Sequence, residues 1–131
     1  MRVAFTSSDG AKIDLHFGQT SRFHVWEVGP AEARFVETVS AVTTGDEEDR
    51  TSARASAVAG CAIVCTVQIG GPAAAKLAAV RVHPMKTGGE SPIAEMVEKL
   101  QAVLRGSPPP WLRKAMARTD ETMNLADDRV R

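Results

Sequence analysis

Residues 61–72 read CAIVCTVQIGGP, and this stretch decides the fold class of the chain. Its first seven residues are apolar and rich in β-branched side chains, which is typical of a strand buried on both faces. The pair Gly70-Gly71 ends the run, and Pro72 suits the first position of a helix. A buried strand followed by a helix predicts an α/β fold that contains parallel strands.

The segments on either side extend this strand into a mixed sheet. Apolar runs predict four further strands, at 3–5, 23–28, 33–42 and 80–84. Helical spacing predicts three helices, at 51–59, 73–79 and 93–104. The last helix has Ser91 as its expected N-cap and Gly106 at its end. This order predicts a mixed five-stranded sheet flanked by helices, with the first three strands as an antiparallel meander and the later strands parallel.

The domain organisation follows from length and composition. The chain has 131 residues, and 44% of them are hydrophobic, which is enough for the core of one domain. We assign a single α/β domain to residues 1–106. Residues 107–131 are expected to form a proline-rich spacer and then a helical or disordered tail. Trp111 and Leu112 are expected to pack back on the domain rather than meet a partner.

Charge and aromatic content argue against nucleic acid and membranes as partners. Lys and Arg total 16 and balance 16 Asp and Glu, so no net field attracts a polyanion. Four Phe, two Trp and no Tyr are few for a base-stacking surface. No cleavable signal precedes the first strand, and glycines interrupt the uncharged stretch 55–75. We therefore expect a cytoplasmic protein with reduced cysteines.

Two cysteines lie in the apolar run. On an extended backbone, Cys61 and Cys65 would point to the same side about 13 Å apart, so they could neither form a disulfide nor share one zinc ion. Free cysteines mostly pack as small hydrophobic residues. Cys65 lies nearer the open end of the strand and is the better candidate ligand.

A second stretch, residues 14–23, reads DLHFGQTSRF and places His16 in a loop between two predicted strands. Imidazole is a good ligand for soft metals, and Gly18 lets the backbone approach a bulky ligand and predicts a poorly ordered loop. The alternative is a turn in which the histidine only caps a backbone group. Because ligands of open α/β sheets collect beyond the carboxyl ends of parallel strands, we expect Lys86 and His83 of the last strand at the same edge.

No catalytic pattern accompanies this histidine. The predicted first and fourth strands carry no carboxylate that could hold catalytic metal ions. No Ser/His/Asp set, phosphate loop or carboxylate pair is recognisable either. A single histidine with thiols nearby suits holding a soft metal centre better than catalysing a reaction, so we expect a protein that is not an enzyme.

Four motifs occur in order along the chain. They are VAFTSSD at 3–9, DLHFG followed by SRF at 14–23, GC at 60–61 with 70–77, and PIAE at 92–95. Together they resemble the dinitrogenase iron–molybdenum cofactor biosynthesis family, of the NifX, NafY and NifB C-terminal-domain type. The ending PPWLRKA at 109–115 is similar to that of stand-alone members of the NifX type.

The resemblance implies a ribonuclease H-like fold. It also implies binding of the iron–molybdenum cofactor, or of its molybdenum-free iron–sulfur precursor, as transient cargo. The partners that it implies are nitrogenase cofactor-assembly proteins and apo-dinitrogenase, and we expect a monomer or a weak dimer. The resemblance also implies that the cluster ligand of the family corresponds to His16, with Cys65 as a second contact. The expected environment of the cargo comprises Ser7, Asp9, Phe17, Gly18, Arg22, Gln68, Gly70, Gly71 and Lys86.

The interpretation that we favour is a non-enzymatic carrier that binds, stores and transfers this cargo, because one or two exchangeable ligands allow release. Two other functions stay compatible with the sequence. One is a chaperone of apo-dinitrogenase that acts mainly through protein contact by Trp111 and the tail. The other is a metal-free regulatory domain that binds a small ligand.

Overall fold

The structure is a computed structural model that describes residues 1–115, so residues 116–131 of the predicted tail lie outside the described residues. Its strands are β1 (Arg2–Phe5), β2 (Lys12–Ile13), β3 (Arg22–Val28), β4 (Ala33–Ser40), β5 (Ile63–Thr66), β6 (His83–Lys86) and β7 (Ser91–Pro92). Five of them form one sheet in the order β4-β3-β1-β5-β6. Strand β3 is antiparallel to β1 and β4, whereas β1, β5 and β6 are parallel. The predicted mixed sheet is therefore confirmed.

Among residues 1–115, three helices with described bounds cover the two faces of this sheet. They are α1 (Glu47–Ala57), α2 (Gly71–Ala79) and α3 (Ile93–Arg105). On β1, Val3 and Phe5 belong to one hydrophobic cluster and Ala4 to another, because successive side chains of a strand point to opposite faces. The first cluster contains the apolar stripe of α3, and the second contains buried residues of α1 and α2. No helix within residues 1–115 combines the length and the apolar character that a membrane span requires.

Several boundaries differ from the sequence pattern. Strand β6 begins three residues later than the pattern indicates, because Val80 caps α2 and Arg81 adopts a positive φ of 61°. Ser91 is not the N-cap of α3: it lies in β7, and Pro92 occupies the cap position. Strand β7 pairs with β2, and strands of two residues are too short for a periodic pattern to reveal.

The segment after α3 packs onto the domain. Leu112 is 1% exposed and lies with Ala115 in the cluster beneath α3. The rings of Trp111 and His83 stack with centroids 3.7 Å apart and 15° between their planes. The expected packing of Trp111 and Leu112 against the domain is thus confirmed.

We expect Leu112→Ala to lower the free energy of unfolding by about 2–5 kcal/mol, because it leaves a cavity between the segment and the sheet. Urea denaturation followed by circular dichroism measures the change. The matched control is Arg113→Ala, which alters an exposed neighbour and should stay within about 0.5 kcal/mol of the wild type. Equally small effects of both changes would show that the segment does not stabilise the domain.

Candidate functional site

Two threonines hold the histidine loop at the carboxyl ends of the parallel strands. Thr6 directly follows β1 and Thr66 ends β5, and both are fully buried. Their hydroxyl oxygens lie within hydrogen-bonding distance of the Leu15 carbonyl oxygen, at 2.8 Å for Thr6 and 3.1 Å for Thr66. The two hydroxyl oxygens are also 3.1 Å from each other. The position of Leu15, and of His16 after it, is therefore set by the ends of β1 and β5.

Main-chain hydrogen bonds fix the backbone on each side of His16. Before it, the Val67 amide donates to the Leu15 carbonyl at 3.1 Å. After it, the Phe17 amide donates to the Gln68 carbonyl at 2.9 Å. The histidine thus lies between two hydrogen bonds to the segment that follows β5.

The turn that carries the histidine is anchored as well. A short 3-10 helix, Phe17–Gln19, begins immediately after His16. The His16 amide donates to Gln19 Oε1 at 2.9 Å, and the Gln19 amide donates back to the His16 carbonyl at 3.0 Å. Phe17 is 1% exposed and packs on Phe23 with ring centroids 5.6 Å apart. These contacts anchor the turn on both sides of His16, and the poorly ordered loop that Gly18 suggests stays a prediction.

The His16 side chain is exposed to solvent at this edge. A neutral imidazole can bind a soft metal through one ring nitrogen. Among residues 1–115, no group of three or more His, Cys, Asp or Glu side chains is arranged to hold a metal ion. The geometry at this edge therefore offers one exposed imidazole, without a chelating set of side chains around it among the described residues.

Cys65 lies in the core rather than at the rim. It is 0% exposed, belongs to the cluster beneath α3, and has Phe5 and Met85 as its neighbours in register. Burial raises the pKa of its thiol to about 12, so the thiol is protonated at neutral pH. The structure does not bring this sulfur together with His16, contrary to the expectation of a ligand at the strand end.

Cys61 packs on the opposite face of the sheet, in the cluster beneath α1 and α2. The expectation that both thiols point to the same side is wrong, because β5 begins only at Ile63 and its alternation does not extend back to Cys61. Burial raises the pKa of the Cys61 thiol to about 11. The two thiols therefore have no common ligand site.

We expect both cysteines of the native protein to resist iodoacetamide at pH 8, because with these pKa values the thiolate fraction is at most about one in a thousand. Mass spectrometry counts the modified thiols, and the urea-unfolded protein is the control in which both should react. A thiol whose pKa is raised by folding stabilises the protein below the unfolded pKa of 9.0, and this contribution is lost as the pH rises above it. The urea midpoint should thus fall above pH 9. Rapid alkylation of native Cys65 would place it at the accessible edge after all.

The turn between β1 and β2 uses its polar groups internally. Asp9 Oδ1 accepts hydrogen bonds from the amides of Ala11 at 2.9 Å and Lys12 at 3.1 Å, and these bonds lower the pKa of the carboxyl group. Ser7 Oγ donates to Asp9 Oδ1 at 3.1 Å and accepts from the Gly10 amide at 2.9 Å. The side chains of Ser7 and Asp9, which the family resemblance implies beside the cargo, thus form hydrogen bonds that stabilise the turn itself.

The segments after β5 and β6 bring polar groups to the same edge as His16. Gln68 is exposed, and its carbonyl already accepts the bond from the histidine turn. Gly70 is the N-cap of α2 and Gly71 is its first residue, so the positive end of the helix dipole lies here. Lys86 ends β6 in register with Thr66 and is exposed.

Arg22 and His83 lie at opposite edges. Arg22 begins β3, which runs antiparallel to β1, so its exposed side chain belongs to the edge where β1 ends. His83 begins β6 in register with Ile63, the first residue of β5, and is therefore at the far edge. The expectation that His83 joins the histidine loop is wrong, since β6 begins later than its sequence pattern indicates.

Thr6 and Thr66 position the histidine loop, a role that no sequence motif had indicated. A polar side chain inside a buried apolar run must find a hydrogen-bond partner, and this requirement indicates that such a threonine has a structural role. Neither residue could be assigned its partner without the register of β1 and β5.

We expect Thr66→Val to reduce the free energy of unfolding by about 1–3 kcal/mol, because it removes a buried hydroxyl from a polar cluster. Hydrogen exchange should accelerate at the Phe17 amide, which is held by the same segment. Urea denaturation and exchange monitored by NMR measure the two effects. Thr44→Val, at an exposed position, is the control. Unchanged exchange at Phe17 in the Thr66 variant would show that the hydroxyls do not hold the turn.

The chain matches a known protein family over most of its length. The family model described as "Dinitrogenase iron-molybdenum cofactor" matches residues 1–103. The chain belongs to this family. The family resemblance of the four ordered motifs is thereby confirmed, and membership gives the chain a role in the handling of the nitrogenase cofactor in nitrogen fixation.

Relatives of this family cover most of the chain. NifX of Herbaspirillum seropedicae is 38% identical over 99% of this chain and 91% of its own length. NifX of Rhodobacter capsulatus is 35% identical over 97% of this chain and 84% of its own length. NifY of Azotobacter vinelandii is 40% identical over 88% of this chain, but the match spans only 48% of NifY.

A solved structure of similar architecture supports the fold of the chain but carries no information on its function. The crystal structure of PH0822 superposes with a TM-score of 0.63 and covers 78% of this chain and 91% of its own. Its sequence is 19% identical to this chain, so the similarity concerns the α/β architecture and not the activity.

Proposed function

We propose that the protein is a non-enzymatic carrier that binds, stores and transfers the iron–molybdenum cofactor, or its molybdenum-free iron–sulfur precursor, during cofactor assembly. The observation that supports this proposal is the exposed His16 on a hydrogen-bonded turn at the carboxyl edge of the sheet. Membership of the family supports the nature of the cargo.

A single imidazole suits a carrier that must release what it holds. A preassembled cluster needs no further protein ligands to keep its metal and sulfide atoms together, so one metal–nitrogen bond is enough to hold it and can be exchanged. A full set of cysteine thiolates is the arrangement by which proteins retain iron–sulfur clusters. Cys65 does not contribute to this proposal as a ligand, because its thiol is protonated and enclosed by the core.

The charges around His16 favour an anionic cargo. Arg22 and Lys86 are exposed cations at the same edge, and the N-terminus of α2 at Gly71 adds the positive end of a helix dipole. Exposed charges act over short range because salt screens them. We infer that they orient a cluster bound at His16 rather than bind it by themselves, with Gln68 as a neutral donor beside them.

Partners and fold class complete the proposal. The carrier would receive its cargo from nitrogenase cofactor-assembly proteins and deliver it towards apo-dinitrogenase, as the family membership suggests. The strand order, with a three-stranded meander beside parallel strands, supports the ribonuclease H-like assignment.

Anaerobic titration with isolated iron–molybdenum cofactor tests the role of His16. We expect the wild type to change the visible spectrum of the cofactor, and His16→Ala to weaken the Kd at least about tenfold, which corresponds to the loss of roughly 1.4 kcal/mol. The matched control is His83→Ala, which removes an imidazole from the far edge of the sheet and should leave the Kd unchanged.

Cofactor binding by His16→Ala that equals the wild type would contradict the proposal. Contact with apo-dinitrogenase itself would then be the better explanation, and retention of apo-dinitrogenase by the immobilised His16→Ala protein would support it. A wild type that binds neither cofactor nor apo-dinitrogenase would leave the metal-free regulatory domain.

A further inference from the structure

Strand β4 forms an open edge of the five-stranded sheet. Within residues 1–115 it pairs with β3 alone, so one side of Ala33–Ser40 offers main-chain donors and acceptors to the surroundings. Proteins usually protect such an edge, because it can pair with an edge of another chain. The opposite edge, β6, is short, contains Pro84, and its His83 stacks on Trp111. Strand β4 is longer and contains neither proline nor lysine, so it lacks this protection.

A bulge in β4 turns two opposite charges to one face of the sheet. Arg34 lies opposite Glu27 of β3, Glu37 lies opposite Val25, and the register shifts between these pairs at Val36. Residues 25 and 27 are two apart on β3 and share a face, so residues 34 and 37 share that face as well. On a regular strand, residues three apart point to opposite faces. Both charged side chains are exposed.

Arg34 has no charged partner of its own in the described part of the chain. Glu37 forms a half-exposed ion pair with Arg2 at 3.6 Å, and Glu27 pairs with the N-terminal amine at 3.1 Å. No ion pair within residues 1–115 includes Arg34. The outer edge of this face therefore presents a free cation beside a weakly engaged carboxylate.

The other face of β4 presents an aromatic ring at the same place. Phe35 lies opposite Trp26 in register and is 50% exposed. Its ring centroid is 6.4 Å from that of Trp26 and 6.4 Å from that of His24. A further strand on this edge would cover the open side of the ring, because cross-strand neighbours pack against each other.

We propose that β4 pairs antiparallel with β4 of a second copy of this chain, with Arg34 of each copy opposite Glu37 of the other. The charges are self-complementary, because a two-fold axis perpendicular to the sheet forms the same ion pair twice. In this register Phe35 lies opposite Val36 of the second copy. A bulge discourages pairing with a regular strand, whereas a second copy carries the same bulge between the same charges. The second copy is therefore a better match than a strand of another protein.

The pairing leaves the histidine loops of both copies open. It joins the two sheets into one continuous sheet, in which β1 of one copy runs opposite to β1 of the other. His16 of the two copies consequently lies at opposite edges of the joined sheet. The pairing goes beyond the carrier function and does not depend on it, because no residue proposed to contact cargo belongs to β4.

Sedimentation equilibrium of the full chain without cofactor, at low ionic strength, tests this pairing. We expect the average mass to rise with concentration from that of one chain towards that of two. Arg34→Glu and Glu37→Arg should each weaken the dimer Kd at least about tenfold, because each places like charges opposite each other twice. The matched control is Arg50→Glu on α1, an exposed charge reversal away from β4, which should leave the Kd unchanged.

An equimolar mixture of Arg34→Glu and Glu37→Arg tests the register directly. Each variant supplies the charge that the other lacks, so we expect the mixture to recover at least half of the wild-type dimer at the same total concentration. Urea midpoints close to that of the wild type would show that both variants are folded.

Three results would overturn the inference. A wild type that stays monomeric over the whole concentration range would refute the second copy as occupant and leave the edge to a strand of another protein. A dimer whose Kd neither reversal changes would place the interface elsewhere on the chain. Two weakened variants whose mixture does not recover dimer would refute the pairing of Arg34 with Glu37. None of these results bears on cofactor binding by His16, which the separate titration measures.

Discussion

The carbonyl oxygen of Leu15 is the point on which the candidate site depends. It receives the Val67 amide and lies within hydrogen-bonding distance of the hydroxyls of Thr6 and Thr66. These groups belong to the ends of two adjacent parallel strands, so the register of β1 and β5 fixes them relative to one another. The location of His16 is consequently a property of the sheet, although the residue itself lies in a loop.

The alternation of side chains along β5 decides which chemistry faces the histidine loop. Cys65 points into the cluster beneath α3, and the next residue, Thr66, points to Leu15. A strand with the register shifted by one residue would present the thiol to the loop and bury the hydroxyl, because side chains alternate with a period of two. The protein thus has a structural hydroxyl against the backbone of the histidine loop, at Leu15, and keeps its thiol in the core.

Much of the fold could be predicted because its decisive segments have strong patterns. The apolar run at 61–67 contains the buried strand β5, although the strand is limited to Ile63–Thr66, and the apolar stripe of α3 is buried as its spacing indicates. The orientation of Cys65 could not be predicted, because a strand buried on both faces has no polar face that reveals its phase. The place of His83 was missed for another reason: the positive φ of Arg81 lengthens the connection after α2, and this moves the start of β6. His16 was located correctly as an exposed loop residue, whereas its anchors depend on contacts between distant segments.

The burial of both cysteines has a consequence for the folded protein under oxidising conditions. Surface thiolates are the groups that oxidants attack, that cross-link chains and that capture stray zinc. Cys61 and Cys65 are the two cysteines of the chain, and neither is accessible. Because both thiols are enclosed, the folded protein should resist oxidation and cross-linking through cysteine, and the binding through His16 that we propose would not depend on the redox state of a thiol.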